Sequence, residues 1–438
     1  MKAIAASATP QARASAARPK VAAAHVRPRL DVEPLLRVVF AIFIASGCIS
    51  FIEPSPYDLM SLLTILIWMA GGFRLNVALM PIIMLWMIYN VAGFVSLMPH
   101  WGESEPTMFQ FQSLYLVITG IFFSIFLSEK TEARMELCFK AYAFGCFCSA
   151  LLGIAGYLNI AGLGAYTTMY EGRVNGTFKD PNVFGSYMIL AVVYLTHCVM
   201  LGRSKHPLLA MVGLGTIMAG VFLSFSRGSW GAAVVALFTM FVATFLAAEQ
   251  ASTRRRMLLW AAAAFAVGAI AIVAILSIDT ARELFLQRAT VTQDYDEGVT
   301  GRFGNQLRSI PMLMELPNGF GPLRFRLVFE LDPHNSYINA FASYGWVGGF
   351  AWIFIVASTF FVGFRLMIVR SPFRNLAHVA WPSLMVLLLQ GFQIDIDHWR
   401  WVFLCFGTVW GLEAARVRWK WQQKRLPAQT RVPSSQTA

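Results

Sequence analysis

The residues with the clearest capacity for chemistry lie in Asp332-Pro333-His334-Asn335-Ser336-Tyr337, between a polar stretch and a long apolar run. An imidazole titrates near neutral pH, so His334 at the water-side entrance of an apolar helix can take a proton from a substrate hydroxyl. Asp332 either orients that ring or caps the helix that follows, and a turn containing proline leaves both readings open. His334 also reads as a residue that simply orders the helix start. The other histidines are placed for less. His197 falls inside an apolar run, His206 and His378 at the far ends of such runs, and His100 and His398 in short connections without a basic cluster.

Three arginines accompany His334. Arg173 lies in Glu171-Gly172-Arg173-Val174-Asn175-Gly176-Thr177-Phe178, and Arg227 in Ser224-Phe225-Ser226-Arg227-Gly228-Ser229-Trp230. Arg302 opens Gly301-Arg302-Phe303-Gly304-Asn305. A guanidinium fork holds phosphate oxygens in pairs and keeps its charge in any surroundings. The phrases Asp180-Pro181-Asn182 and Asp332-Pro333-His334-Asn335 each set a capping residue and a proline just ahead of an apolar run, so two helix N-termini open toward the same side. Alone, each arginine reads as a snorkelling or surface charge. Together with His334 and the helix starts, with Ser226 and Asn182 in support, they point to a shared anionic ligand. The phosphate or diphosphate of a lipid carrier fits, because its headgroup sits at that depth while its tail stays in the bilayer. There is no His-Glu-x-x-His and no Asp-rich pair beside the arginines, so the expected chemistry is metal-independent, without a cofactor.

The elements that must position these residues are written in the composition. Of 438 residues, 57% are hydrophobic and 13% charged, with a mean hydropathy of +0.59, which excludes a soluble globular chain. Apolar segments near the ~20 residues needed to cross ~30 Å of hydrocarbon recur along the sequence. They fall at 34–52, 57–73, 75–98, 108–127, 135–158 and 183–201, then at 207–224, 228–248, 257–278, 336–367, 378–394 and 398–415. The expectation is an all-α polytopic membrane protein of about twelve transmembrane helices. The implied order is a disordered basic cytoplasmic tail (1–33), helices one to nine (34–278), a long outer loop (279–335), helices ten to twelve (336–415) and a second basic tail (416–438). The first tail resembles a transit peptide in composition but has no apolar core followed by a cleavage site, so it is not a secretory signal.

Charge placement supports the count. With the N-terminus inside, alternate connections collect Arg74, Lys130, Arg134, Arg203, Lys205, the run Arg254-Arg255-Arg256, and Arg365, Arg370 and Arg374. Roughly two-thirds of the 35 Lys and Arg residues fall on that side, which puts both termini in the cytoplasm. The net charge of +12 is then a consequence of topology, and nucleic acid is not an expected partner. The six cysteines all lie in apolar runs and read as small core residues. Within the long loop, Phe303, Leu307, Ile310 and Met314 share one helical face while Arg302, Gln306 and Ser309 share another. Such a segment lies along a membrane interface or packs as a loop helix on the transmembrane core, with Pro311 a place for a bend.

In order along the chain stand Arg173-x-x-Gly176-Thr177-Phe178-x-Asp180-Pro181-Asn182-x-x-Gly185, Ser224-x-Ser226-Arg227-Gly228-x-Trp230 and Gly301-Arg302. Pro317-Asn318-Gly319-Phe320-Gly321 and Pro333-His334-Asn335-x-Tyr337 follow, with Gly345 and Gly348 after them. This ordered set resembles the bacterial O-antigen ligase and Wzy-type polysaccharide polymerase superfamily. The resemblance implies a GT-C-like helical fold and glycosyl transfer at the periplasmic face of the bacterial inner membrane. It implies a glycan donor on undecaprenyl diphosphate, with Arg173, Arg227 and Arg302 handling the diphosphate and His334 activating the acceptor. A ligase uses lipid A–core as acceptor and a polymerase uses another carrier-linked glycan; both readings stand. A secondary transporter or flippase of lipid-linked oligosaccharide is the alternative from a different class. Such proteins place charged or helix-breaking features near the bilayer midplane, whereas here the candidate residues gather at one rim.

Overall fold

The computed structural model describes residues 32–73, 75–169, 172–288, 298 and 301–425. The expectations for the N-terminal tail up to residue 31, for Arg74 and Glu171, and for the chain beyond 425 lie outside the described residues. An α-helix forms within each apolar segment. The first five are α1 (Glu33–Ser46), α2 (Pro56–Gly71), α3 (Met80–Leu97), α4 (Ser104–Ser128) and α5 (Thr131–Tyr157). A short α6 (Gly164–Thr167) leads into β1 (Thr168–Met169), which pairs antiparallel with β2 (Arg173–Val174). Then come α7 (Pro181–Tyr187), α8 (Ile189–Leu201), α9 (Pro207–Leu223), α10 (Arg227–Ala247) and α11 (Ala251–Leu276). The long loop carries α12 (Asp279–Arg288), α13 (Arg302–Glu315) and α14 (Phe325–Phe329), and the chain ends in α15 (Ser336–Ile368), α16 (Arg374–Gln390) and α17 (Arg400–Arg425).

Among the described residues, seven helices are long and apolar enough to cross a membrane: Val77–His100, Ser104–Ser128, Thr131–Tyr157, Pro181–Leu201, Arg227–Ala247, Ala251–Ala274 and Ser336–Ile368. Large apolar side chains such as Phe265, Ile270 and Val273 of α11 and Phe354 and Phe361 of α15 are exposed. A surface of that extent is matched to lipid and not to water. The chain is an all-α protein of polytopic membrane type.

Aromatic rings fill the interior. Tyr89 of α3 stacks on Tyr344 of α15 with ring centroids 4.1 Å apart, and Trp86 meets Trp352, Phe403 and Phe406. Phe43 of α1 stacks on Phe123 of α4 at 5.5 Å. Packing of such planar groups supplies cohesion where the hydrophobic effect between helices in lipid is weak.

Side-chain bonds sort the connections into two ends. At one end, Lys179 pairs with Glu53 at 2.6 Å, Arg400 grips Asp58 through Nε and Nη2 at 2.9 and 2.8 Å, and Arg326 pairs with Glu105 at 2.6 Å. At the other, Arg134 donates to Glu33 at 3.0 Å and Asn76 to the Ala414 carbonyl at 3.0 Å. The segment from Arg416 to Arg425, read from sequence as the start of a tail, continues α17. Glu413 accepts from Arg416 at 2.7 and 2.9 Å and from Arg365 of α15 at 2.5 Å, and Arg418 donates to the Ser128 carbonyl, so ion pairs extend the helix past its apolar part.

α15 is interrupted. Gly345 has φ +64° and ψ −170°, a conformation closed to L side chains, and a Cβ there would lie 2.5 Å from the Pro317 carbonyl oxygen. The 317–321 loop fills the break. The Phe320 and Gly321 N–H groups donate to the Ala342 carbonyl at 2.8 and 3.1 Å, and the Trp346 N–H donates to the Pro317 carbonyl at 2.8 Å. Ser96 of α3 holds the loop through the Asn318 carbonyl at 2.7 Å. Backbone groups released by the break thus find partners within protein, as an apolar setting requires.

Candidate functional site

The first turn of α15 is stitched to the connection between α16 and α17. The Asp395 carboxylate accepts the His334 N–H at 3.0 Å on one oxygen and the Asn335 N–H at 2.9 Å on the other. That clasp holds His334 at φ +46°, a left-handed conformation that histidine tolerates better than most residues. The Asn335 side-chain oxygen accepts from the Tyr337 and Ile338 N–H groups at 3.0 and 3.1 Å, and its amide donates to the Phe392 carbonyl at 3.3 Å. Ser336 donates its N–H to the Gly391 carbonyl at 2.7 Å, and Tyr337 stacks on Phe392 at 4.1 Å.

The capping reading of Asp332 needs correction. The cap is Asn335 and Pro333 lies outside the helix, because a capping side chain must sit directly before the first turn to reach its N–H groups. Asp332 stands exposed three residues too early, and the carboxylate that holds the His334 backbone is Asp395. Burial drives the Asp395 carboxyl well above the usual carboxylate range, and Asp397 adds to the shift, against the two N–H bonds that favour the ionised form. Asp397, also buried, accepts from Asn339 of α15 at 3.0 Å and contacts His398 Nδ1 at 3.1 Å. Replacing Asp395 by Asn leaves one oxygen for two donors and turns an NH2 toward the second. The expected loss is about 1–3 kcal/mol of local stability, read as roughly tenfold or faster amide exchange at His334 and Asn335. Unchanged exchange would contradict the clasp.

Of the three arginines, Arg302 reaches the same connection directly. Arg302, the first residue of α13, donates through Nη1 to the Gln393 carbonyl at 3.2 Å. Arg227 is half-buried at the first position of α10, where the Ser226 hydroxyl caps the helix by accepting the Ser229 N–H at 3.3 Å. Its neighbour Gly228 abuts the end of α16 and the connection after it, with the position of a Cβ 3.5 Å from Gln390 Nε2 and 4.0 Å from Gln393 Oε1. Arg173 sits behind them, only 6% exposed. Its Nε donates to the Ser224 carbonyl and its Nη2 to the Asn182 side-chain oxygen, both at 3.0 Å. Asp180 behaves as its sequence implies, capping α7 through bonds from the Asn182 and Val183 N–H groups at 2.7 and 3.3 Å. Arg173, Asn182 and Asp180 therefore brace the turn that presents Arg227, while Arg302 and His334 are both held by the 390–397 connection.

α13 carries the amphipathic pattern expected of it, and the helix continues through Pro311. Its orientation is the reverse of a helix on a soluble core. Asn305, Gln306 and Ser309 are buried, while Leu307 and Met314 are 70% and 68% exposed, with Phe303 and Ile310 also outward. The polar face does the docking: Gln306 Nε2 donates to the Pro333 carbonyl at 2.9 Å and Asn305 Nδ2 to the Phe329 carbonyl at 3.1 Å. The helix thus ties the residue before His334 to Arg302 and turns its apolar stripe toward the surroundings, as an interfacial helix does.

Sequence reasoning missed Asp395, Asp397, Gln306 and Gln393 as parts of the site. The available signal was Asp395-Ile396-Asp397-His398, two carboxylates and a histidine packed into a connection too short to need them. Arg302 and the His334 backbone thus share one connection, and the first turn of α10 lies against it. The chain matches no protein-family model and no curated protein.

Proposed function

We propose that this chain is an inner-membrane glycosyltransferase that moves a glycan from undecaprenyl diphosphate to an acceptor hydroxyl at the periplasmic face. In this reading it acts in O-antigen or exopolysaccharide assembly, as a polymerase or an O-antigen ligase. Twelve helices cross the bilayer in a GT-C-like arrangement, both termini lie in the cytoplasm, and the end bearing His334 faces the periplasm. The observation that carries the proposal is the attachment of His334 and Arg302 to one connection, 390–397, with the Arg227 turn set against it.

His334 takes the proton of the acceptor hydroxyl as that oxygen bonds to the anomeric carbon of the donor. The bond from that carbon to the carrier oxygen breaks, and the diphosphate leaves with the electron pair. Arg227 and Arg302 neutralise the leaving group, so the chemistry needs no metal. Arg173 contributes by fixing the Ser224–Arg227 turn. The interruption of α15 weighs against the transporter reading, because the Ala342 carbonyl at the break is already occupied by the Phe320 and Gly321 N–H groups.

Deletion of the gene followed by gel analysis of surface glycans tests the proposal. Loss of long chains with single repeats still attached identifies a polymerase, and complete loss of glycan on an intact core identifies a ligase. Normal surface glycans would contradict both.

A further inference from the structure

A second basic site lies at the opposite end of the bundle. There a cavity of about 380 Å³ opens between the last turns of α8 and α10 and the first turns of α11 and α16. Three guanidiniums line it, those of Arg203, Arg256 and Arg374. The carboxylate in its wall, Glu249, is 3.7 Å from a fourth arginine, Arg370, and does not balance them. Arg256 caps the end of α8 at the Leu201 carbonyl, and Arg374 reaches the Ala247 carbonyl at 3.4 Å. Among the described residues, the side chains of Arg203, Gln250, Thr253 and Asn375 make no hydrogen bond or ion pair, although all four line the cavity.

Unspent donors and uncompensated positive charge in one concavity call for an anion with several acceptor oxygens. Phosphate meets that need, since guanidinium forks bind its oxygens in pairs. The walls identify the source. Leu246, beside the cavity-lining Ala247, is 73% exposed, and Leu258 and Leu259, just beyond Arg256 on α11, also face outward. A ligand whose phosphate fills the cavity can therefore lay acyl chains along these apolar side chains, which a free phosphate cannot do.

We infer that this cavity is a binding site for the phosphate of an anionic glycerophospholipid. The site is remote from His334 and independent of the glycosyl-transfer reading. Basic residues at the ends of spanning helices draw anionic lipid electrostatically, and the cavity adds shape to that attraction.

The test uses the full chain in neutral detergent, with lipid binding followed by native mass spectrometry. Phosphatidylglycerol is expected to bind about tenfold or more tightly than phosphatidylcholine. Arg203→Gln, alone and with Arg374→Gln, is expected to lower phosphatidylglycerol affinity by about tenfold or more, the loss typical of a charge-assisted contact. Arg203 is exposed, so the single variant should keep the lipid-free melting temperature, which separates lost binding from lost folding. Equal affinity for the two lipids, or unaltered binding by the variants, overturns the site. Displacement of the lipid by an equal concentration of inorganic phosphate overturns the lipid as its occupant.

Discussion

The His334→Ala variant is expected to lose glycan transfer by about 10²–10⁴-fold, the contribution of a positioned general base. The acceptor hydroxyl is a poor nucleophile until its proton has somewhere to go, and in the proposed reaction no other group takes it. The backbone complicates the variant, because His334 sits at φ +46° and alanine resists that region by roughly 1–2 kcal/mol. His334→Asn resolves the ambiguity. Asparagine accepts the left-handed conformation readily, so the Asp395 clasp and the Asn335 cap should survive, yet its amide cannot hold a proton. Both variants should insert and express alike and both should be inactive. Near-native turnover in His334→Asn would remove the imidazole from the chemistry.

Arg227→Lys is the second large effect, an expected loss of about 10²–10³-fold in turnover, comparable to deleting a charge-stabilising donor. The charge is retained, so a purely electrostatic role predicts little change. A two-pronged contact predicts a severe one, because an ammonium offers a point charge in place of a planar fork. Arg227 begins α10 and is set by the Ser226 cap and by Arg173 bonded to the Ser224 carbonyl. The backbone therefore cannot slide to let a lysine compensate. Turnover and donor affinity should be measured together. Wild-type values for both would detach Arg227 from the donor.

How much of this was legible in the sequence follows from the range of each interaction. The helices were legible because each is a local apolar run, and their observed bounds differ from the sequence reading by a few residues. The largest difference is α17, which continues through Arg416 because Glu413 pairs with Arg365 of α15, a contact between distant positions. Asp180 was legible as a cap because capping is decided within three residues. Asp332 was misread by the same rule. Asp332-Pro333 mimics Asp180-Pro181, and only the conformation of His334 reveals that the helix starts later, under Asn335.

The amphipathic pattern of α13 was legible but not the direction it faces, since periodicity separates two faces without saying which meets protein. Here the polar face docks, through Asn305 and Gln306, and the apolar stripe is left exposed. Asp395 was the costliest omission. It is the group that holds the His334 backbone, across a separation that no local pattern spans.

The central claim is that paired arginines and one histidine suffice for glycosyl transfer from a lipid diphosphate. Its most direct test reconstitutes the purified chain in lipid vesicles with an undecaprenyl diphosphate-linked glycan and a glycan acceptor, with chelator present. The account predicts transfer at an undiminished rate under chelation and none from the His334→Asn protein. Transfer that disappears with chelator and returns with a divalent ion, or a donor left intact by the wild-type protein, would contradict it.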